Sequence, residues 1–286
     1  MLIVTKRGYE KMDKIKLGVL VGGTSIEREV SKKSCENLLA NLDENKYEIT
    51  VYHLPADGNT EWAKNIISNP PQIVLSALHG GNGENGSIQG FLHCLNIPYI
   101  GSKVLSSAIC MNKAMAKTVM KANHIQVPDH VFVMRGVDFS QYKESIKLMG
   151  FPLIVKPNRG GSSIGVIVAR NMEDIHYGIK NIIETYDDDV LIEKFIDGKE
   201  INCCVLQGEN GPEAMAVLDV KKAGSVFVYD DKYHIDEYSS DITSLPDFMQ
   251  DMIKSIAVKT FNILQCKGYA CVDMIVQEEQ IYVIEV

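Results

Sequence analysis

The sequence lacks the features that would place it in a membrane or secretory class. No apolar run approaches the ~18 residues of a membrane helix, and the first residues have no apolar signal-peptide core. The seven cysteines are odd in number and none are spaced as CxxC. Because most of them lie in apolar stretches, we expect buried free thiols in a reducing compartment. This favours the cytoplasm and no membrane partner.

Positive charge is also in short supply. Lysine and arginine number 29 against 37 aspartates and glutamates, so the formal net charge is −8. This balance excludes a general nucleic-acid binder, which needs a basic surface, but leaves room for a local basic pocket that takes a small anion. With 45% hydrophobic and 23% charged residues in 286, the composition predicts a folded chain of two or three domains.

Three common catalytic patterns are missing as well. The sequence has no GxxxxGK[ST] phosphate loop and no GxSxG turn of a serine hydrolase. Its seven histidines show no spacing, among themselves or with cysteine, that would predict a zinc site. P-loop enzymes, hydrolases of that type and zinc proteins are therefore disfavoured.

Strands and helices alternate from residue 17 to about 105, which predicts an α/β region with a parallel sheet. Ligands of such sheets bind at the carboxyl ends of the strands. At one such end, residues 81–86 have the pattern GxGxxG. A nicotinamide loop, a plain tight turn and a substrate loop carrying His79 and Glu84 are the three interpretations. The first also needs an acid about 20 residues further on, and none is present there.

A lysine-bearing helix and a glycine-rich hairpin come next. Residues 106–123 predict one helix with Lys113, Lys117 and Lys121 on the same face. Two short strands flank the Gly/Ser loop 158–163, which follows Lys156 closely. Such a loop suits an anion, because glycine permits close approach of the backbone and lysine supplies a point charge. A surface hairpin with a solvated lysine is the alternative.

The last part of the chain adds a long loop and two acids. The polar stretch 223–243 has no clear period and predicts a lid or binding loop, and Ser244 and Pro246 predict the start of a helix. Asp273 and Glu285 lie in two apolar strands joined by a short turn. A three- or five-residue loop would put them opposite one another, and a four-residue loop would not. Facing carboxylates repel unless a hard cation such as Mg²⁺ lies between them, and two edge-exposed acids are the alternative.

Together these features indicate nucleotide-dependent phosphoryl transfer without a P-loop. Seven segments then resemble the D-alanine–D-alanine ligases of the ATP-grasp superfamily, in order over residues 17 to 286. They are GGTSIEREVS (22–31), ALHGGNGENGSIQG (77–90), IPYIGSKVLSSAICMNK (97–113), VKPNRGGSSIG (155–165), IEKFIDGKE (192–200), DKY (231–233) and GYACVDM (268–274).

The resemblance implies a three-domain ATP-grasp architecture of class α/β, with an N-terminal parallel-sheet domain and two α+β domains enclosing ATP. The expected parts are a leader outside the fold (1–11), a substrate-binding domain (12–105), a central ATP-grasp domain (106–195) and a C-terminal ATP-grasp domain (196–286) with the lid at 223–243. The C-terminal domain is expected to be incomplete, because the family continues with Asn-Thr-x-Pro-Gly after the position of Glu285.

The resemblance also implies roles for individual residues. For ATP it implies phosphate contacts by Lys113, Lys156 and Lys232, with Ser163 nearby, an adenine frame of Glu193 and the backbone of Lys194, Phe195 and Ile196, and ribose contacts by Glu200. For the other ligands it implies Glu27 and His79 at the first D-alanine, Ser162 and Tyr233 linking the lid to Glu27, and Asp273 and Glu285 on Mg²⁺ or Mn²⁺. Thr24 and Glu27 also have capping-box spacing, so Glu27 can cap a helix as well.

The implied reaction is the phosphorylation of one D-alanine by ATP and attack on the acyl phosphate by the amino group of a second. Peptidoglycan precursor synthesis, and with it cell-wall biogenesis and cell shape, and a homodimer are further family expectations. Tyr233 favours an amino acid over a hydroxy acid as acceptor. One residue departs from the family pattern, because Cys271 stands where the family has an arginine that stabilises the anionic intermediate. A related ligase with another acceptor, and a catalytically impaired nucleotide-binding homologue, are therefore the alternatives.

Overall fold

The computed structural model describes residues 14–220 and 240–286. The predicted leader, Lys232, Tyr233 and most of the predicted lid lie outside these residues. Within the described ranges, no helix is both long and apolar enough to cross a membrane.

The chain divides into two units, which are considered separately. The first unit consists of the described residues up to His79 together with Leu92–Ile100, and the second consists of Gly80–Phe91 and the described residues of Gly101–Val286. The predicted domain boundaries at 105 and 195 stay predictions.

The first unit contains a three-stranded parallel sheet in the order β2-β1-β3. Its elements are β1 Ile15–Gly22, α1 Arg28–Asn41, β2 Tyr47–Leu54, α2 Glu61–Ser68 and β3 Ile73–Ser76. The central strand supplies fully buried Val19 and Leu20, as expected for a parallel strand that is covered on both faces. The predicted parallel sheet is therefore confirmed.

The second unit begins with helices and a four-stranded antiparallel sheet in the order β4-β7-β5-β6. The helices are α3 Gly81–Glu84, α4 Ser87–Cys94 (which ends in the first unit), α5 Val104–Met111, α6 Lys113–Ala122, α7 Lys143–Met149 and α8 Met172–Tyr186. The strands are β4 His130–Val133, β5 Leu153–Pro157, β6 Ile167–Ala169 and β7 Val190–Lys194. Apolar residues of α8, such as Ile175 and Ile182, pack on this sheet and are fully buried.

A five-stranded antiparallel sheet in the order β10-β9-β8-β11-β12 completes the second unit. Its elements are β8 Lys199–Gly208, β9 Gly211–Val220, β10 Ser240–Ile242, α9 Asp247–Ile263, β11 Tyr269–Gln277 and β12 Gln280–Glu285. One apolar core joins α6 and α9 to this sheet, with Met120 and Ile253 fully buried in it. The predicted fold class, a parallel N-terminal sheet followed by two antiparallel sheets, is confirmed.

Three predicted helix starts or spans are wrong in detail. The helix predicted over 106–123 is broken at Asn112, whose side chain accepts a hydrogen bond from the Met115 N–H at 3.1 Å and so starts a new helix. The predicted capping box is not formed, because α1 begins after Glu27 and the Glu27 N–H donates to Ser25 Oγ at 3.1 Å. The cap of α9 is Pro246 rather than Ser244.

The prediction that the cysteines are free thiols is wrong for two of them. Cys204 of β8 and Cys271 of β11 form a disulfide. They lie directly opposite one another in the antiparallel ladder, where Cβ atoms come close enough for an S–S bond. Of the free cysteines, Cys94 is exposed rather than buried, whereas Cys35, Cys203 and Cys266 are buried as expected.

Candidate active site

A buried cluster of two lysines and one glutamate lies between α6 and the four-stranded sheet. The Lys156 Nζ is 2.8 Å from Glu193 Oε2, and the Lys117 Nζ is 2.9 Å from Glu193 Oε1. Their side chains are 7%, 3% and 0% exposed for Lys156, Glu193 and Lys117. The strand register explains the first contact: Ile154 of β5 lies opposite Glu193 of β7, so Lys156 is two residues further along the same face.

Two of the three charged groups in this cluster, Glu193 and Lys117, have strongly shifted pKa values. Burial alone would raise the pKa of Glu193, but the ammonium groups of Lys117 and Lys156 outweigh it and lower that pKa to about 2. Burial lowers the pKa of Lys117 to about 8, and the Glu193 carboxylate opposes part of that shift. Near neutral pH two ammonium groups therefore face one carboxylate, and the excess positive charge suits an anionic ligand.

The Gly/Ser loop 158–163 is anchored to the start of α6. Asn158 is fully buried; its Oδ1 accepts from the Ala114 N–H at 3.0 Å, and its carbonyl accepts from the Lys113 N–H at 3.1 Å. The Lys113 ammonium also donates to the Gly160 carbonyl. The loop and the helix that carries Lys113 and Lys117 are thus held as one piece.

Within this loop, Ser162 and Ser163 both have left-handed backbone, with φ of 51° and 57°. Two consecutive non-glycine residues in that region are uncommon, and such strain is concentrated at ligand-binding loops. Ser162 is buried and Ser163 half-buried. Arg159 does not supply charge for an anion, because its N–H groups bind Asp188 and Asp189, with Nη2 2.5 Å from Asp189 Oδ2.

Asp273 of β11 and Glu285 of β12 lie opposite one another, which is the arrangement expected for a three- or five-residue loop, but it arises for a different reason. The turn between the strands has only two residues, Glu278 and Glu279, and a regular ladder would pair Asp273 with Ile284. A β-bulge corrects this, because Ile284 is inserted between the pairs Met274–Val283 and Asp273–Glu285.

The bulge also decides on which face of the sheet Glu285 lies. In β12 the buried Ile281 and Val283 have the same parity as Glu285, so a regular strand would turn Glu285 toward the core. The extra residue rotates Glu285 to the face of Asp273. The carbonyl of Ile284 accepts a hydrogen bond from the Lys117 Nζ at 2.8 Å, which ties the bulge to the buried cluster.

Both carboxylates already have partners. The Lys113 Nζ is 3.2 Å from Glu285 Oε2, and the Asn202 side chain of β8 donates to Asp273 Oδ1. Among the described residues, no three Asp, Glu, His or Cys side chains lie close enough to hold a metal ion alone. Two carboxylates fit a magnesium site that is completed by the oxygens of bound phosphates.

The residues expected to frame adenine lie at the end of β7 and directly after it. The Lys194 N–H donates to the Asp129 carbonyl at 2.8 Å and the Phe195 N–H to the Pro152 carbonyl at 3.4 Å, so these two donors bind within the protein. Ile196 is buried, and Glu200 lies in β8 opposite Ile275.

Glu27 and His79 belong to the first unit. Glu27 is buried at the start of α1, and His79 Nε2 lies 2.8 Å from Ser34 Oγ of the same helix. The structure thus groups these two around α1. In the second unit it brings together Lys113, Lys156, Glu193, Asp273 and Glu285.

Sequence reasoning missed Lys117 and Asn202 as parts of this site. For Lys117 the signal was present, since it follows Lys113 by four residues on one helix face. For Asn202 there was none, because its position opposite Asp273 depends on the pairing of two strands that are distant in sequence.

Two antiparallel sheets linked by a lysine-bearing helix, a Gly/Ser loop between two strands and a pair of opposed carboxylates define an ATP-grasp protein. Comparison with known proteins makes the class more specific. The family model described as D-ala D-ala ligase C-terminus matches residues 119–286, and the one described as D-ala D-ala ligase N-terminus matches residues 60–102. The chain belongs to the D-alanine–D-alanine ligase family.

Individual relatives agree. The D-alanine–D-alanine ligase of Bacillus anthracis is 37% identical over 273 residues, which is 95% of this chain and 86% of the relative. Ligase B of Clostridium perfringens is 36% identical over 282 residues, 95% and 87% of the two chains. The solved Bacillus anthracis ligase in complex with ATP has a TM-score of 0.80 at 32% identity, covering 96% and 85%. The D-Ala:D-Ser ligase VanG of Enterococcus faecalis has a TM-score of 0.82 at 27% identity, covering 96% and 90%.

Proposed function

We propose that this protein is an ATP-dependent ligase that joins two D-alanine molecules into D-alanyl-D-alanine. One observation carries the proposal. In a chain of this family, α6 carries Lys113, which forms an ion pair with Glu285, and Lys117, which forms an ion pair with Glu193. One helix therefore connects a site for phosphates, an adenine-side glutamate and an opposed pair of carboxylates. Such an arrangement suits phosphoryl transfer, in which positioning and charge neutralisation supply most of the catalysis.

Nucleotide binding is assigned to the second unit. Lys113 and Lys156, with Lys232 of the lid, neutralise the phosphates, and Ser163 lies in the loop beside them. Glu193 and the backbone of residues 194–196 frame the adenine, and Glu200 accepts from the ribose hydroxyls. The excess positive charge around Glu193 supports this assignment, because it is compensated when a polyanion arrives.

Asp273 and Glu285 would hold Mg²⁺, or Mn²⁺, which prefers the same oxygen ligands. The fit rests on a stand-in cation, since the Lys113 ammonium lies 3.2 Å from Glu285 Oε2. A bound divalent ion would supply charge neutralisation for the phosphates.

The proposed reaction has two steps. The carboxylate of the first D-alanine attacks the γ-phosphorus of ATP, so that an acyl phosphate forms and ADP leaves. The amino group of the second D-alanine then attacks the acyl carbon, and inorganic phosphate leaves with the former carboxylate oxygen. Glu27 pairs with the ammonium of the first substrate, and His79 lies beside it. Ser162 and Tyr233 link that substrate to the lid, which excludes water from the acyl phosphate.

A second candidate is a related ligase with another acceptor, such as D-serine or a hydroxy acid. The observation in its favour is the Cys204–Cys271 disulfide, because a half-cystine at position 271 supplies no positive charge to an anionic intermediate. A catalytically impaired homologue that binds nucleotide without turnover has the same motivation.

The test is ADP formation with Mg-ATP and a panel of D-alanine, D-serine, D-lactate and L-alanine, with products identified by mass spectrometry. We expect D-alanine-dependent ADP release and the dipeptide. Lys156→Met should abolish turnover, whereas the matched Lys180→Met, at an exposed side chain of α8, should not. Better turnover with D-serine or D-lactate supports the second candidate. No amino-acid-dependent ADP formation with any acceptor refutes both ligase proposals.

A cytoplasmic location, a role in peptidoglycan precursor synthesis and a homodimer go with the proposed reaction and stay predictions. Analytical ultracentrifugation of the purified protein would test the homodimer.

A further inference from the structure

Three side chains form a row across three neighbouring strands of the five-stranded sheet. Asp273 of β11 pairs with Asn202 of β8 on one side and with Glu285 of β12 on the other. Residues directly opposite in a ladder share a face, so an amide and two carboxylates lie side by side. The row is half-buried throughout, unlike the cluster around Glu193.

The two carboxylates of the row are held in different ways. Asn202 Nδ2 donates to Asp273 Oδ1 at 2.5 Å, and this donor is neutral. Glu285 Oε2 lies 3.2 Å from the Lys113 Nζ, and this partner is a cation. A divalent ion competes with the ammonium group for Glu285, because both are positive. It does not compete with the amide, since a carboxylate has about four acceptor sites and can bind an N–H and a cation together.

The position of Asn202 itself is fixed by the strand pair. Two pairs along the ladder, the Cys204–Cys271 disulfide joins the same two strands covalently. Asn202 Oδ1 lies 3.4 Å from the sulfur of Cys204, on the side of the disulfide. The amide therefore sits between the disulfide and Asp273.

We propose that Asn202 is a positioning residue that orients the Asp273 carboxylate for a divalent cation. The inference rests on the proposed function, which makes Asp273 a metal ligand. Partners that hold a ligating group in place typically contribute about 10- to 100-fold to metal affinity. Asn202 does so without contacting the ion or the reacting atoms.

The experiment compares two substitutions of equal shape, Asn202→Val and Asn202→Thr. Of the two new side chains, only threonine has a hydrogen-bond donor, its hydroxyl, which replaces the amide of Asn202. Binding of Mn²⁺ is measured by electron paramagnetic resonance in the presence of a non-hydrolysable ATP analogue, so that turnover is not required. We expect Asn202→Val to weaken Mn²⁺ binding about 10- to 100-fold and Asn202→Thr to recover a large part of that loss.

Controls separate this inference from the proposed function. Gln207→Val, at an exposed position of the same strand, should leave Mn²⁺ binding unchanged. Wild-type affinity in Asn202→Val, or equal losses in the valine and threonine variants, would overturn the positioning role. If the wild-type protein itself binds no Mn²⁺ with the nucleotide analogue, the proposed function fails instead. Should the β-branched variants unfold, Asn202→Ser and Asn202→Ala give the same donor comparison.

Discussion

The two charged regions of the second unit differ in their burial and in the signs of the charges that they bring together. Around Glu193 the charges are almost fully buried, at 3% exposure for the glutamate and 0% for Lys117, and each has a partner of opposite sign. In the row of Asn202, Asp273 and Glu285 the groups are half-buried and two like charges are neighbours. In the first region two buried lysines flank one carboxylate, whereas in the second two carboxylates lie side by side and Glu285 has the Lys113 ammonium group beside it.

The largest expected effect comes from breaking the buried region. Glu193→Ala leaves Lys117 and Lys156 buried without their counter-charge, so we expect a loss of about 3–5 kcal/mol in the free energy of unfolding. Glu184→Ala, which removes an exposed glutamate of α8, is the matched control and should change stability by less than about 0.5 kcal/mol. Chemical denaturation measures both. A loss below about 1 kcal/mol in Glu193→Ala would contradict the comparison.

The strands that carry the row should be stabilised by the Cys204–Cys271 disulfide rather than by paired charges. The disulfide closes a loop with a sequence separation of 67, so replacing Cys204 and Cys271 together with alanine should lower the free energy of unfolding by about 2–4 kcal/mol. The midpoint of urea unfolding, measured without reductant, checks this. Cys94→Ala, at an exposed free thiol, is the control. Equal midpoints for the double variant and the wild type would be the contrary result.

Acid should lower the stability of the protein through the buried region around Glu193. The pKa of Glu193 falls from its ordinary 4.5 to about 2 on folding, so its stabilising contribution is complete above pH 4.5 and is lost as pH falls toward 2. The loss amounts to up to about 3 kcal/mol. Thermal unfolding at steps between pH 5 and 2 should therefore be steeper in pH for the wild type than for Glu193→Gln. Parallel profiles would show that other carboxylates dominate.

The smallest effect concerns the stand-in cation of the row. Lys113→Met removes a positive charge 3.2 Å from Glu285, so Mn²⁺ should bind about fivefold more tightly in the absence of nucleotide. The same variant should bind Mn²⁺ less well in the presence of a nucleotide analogue, since a phosphate contact is lost. Lys121→Met, an exposed lysine of the same helix, should show neither change. Weaker Mn²⁺ binding without nucleotide would argue against competition for Glu285.

Local signals in the sequence were sufficient for much of the fold. The start of α8 is set locally, because the Asn171 Oδ1 accepts from the Glu173 and Asp174 N–H groups. The β5–β6 hairpin and the parallel sheet of the first unit are confirmed. These elements depend on periodicity and caps, which neighbouring residues determine.

The parts that could not be predicted depend on pairing between distant segments. Cys204 and Cys271 looked like core residues until the register of β8 and β11 placed them opposite one another. From the sequence, the opposition of Asp273 and Glu285 was conditional on a three- or five-residue loop, yet the loop has two residues and the opposition depends on a bulge at Ile284. Asn202 could not be predicted for the same reason as the disulfide, because the pairing of β8 with β11 places it beside Asp273.

The bulge has a mechanical consequence. A β12 strand shortened by deletion of Ile284 would also put Glu285 opposite Asp273, in a regular ladder, so the pairing alone does not require the extra residue. What the extra residue adds is a carbonyl that binds the ammonium group of Lys117, and Lys117 binds Glu193. Under the proposed function, the adenine side and the metal side of the site are thereby coupled through one side chain. Lys117 therefore ties the position of Glu193 to the strand that carries Glu285.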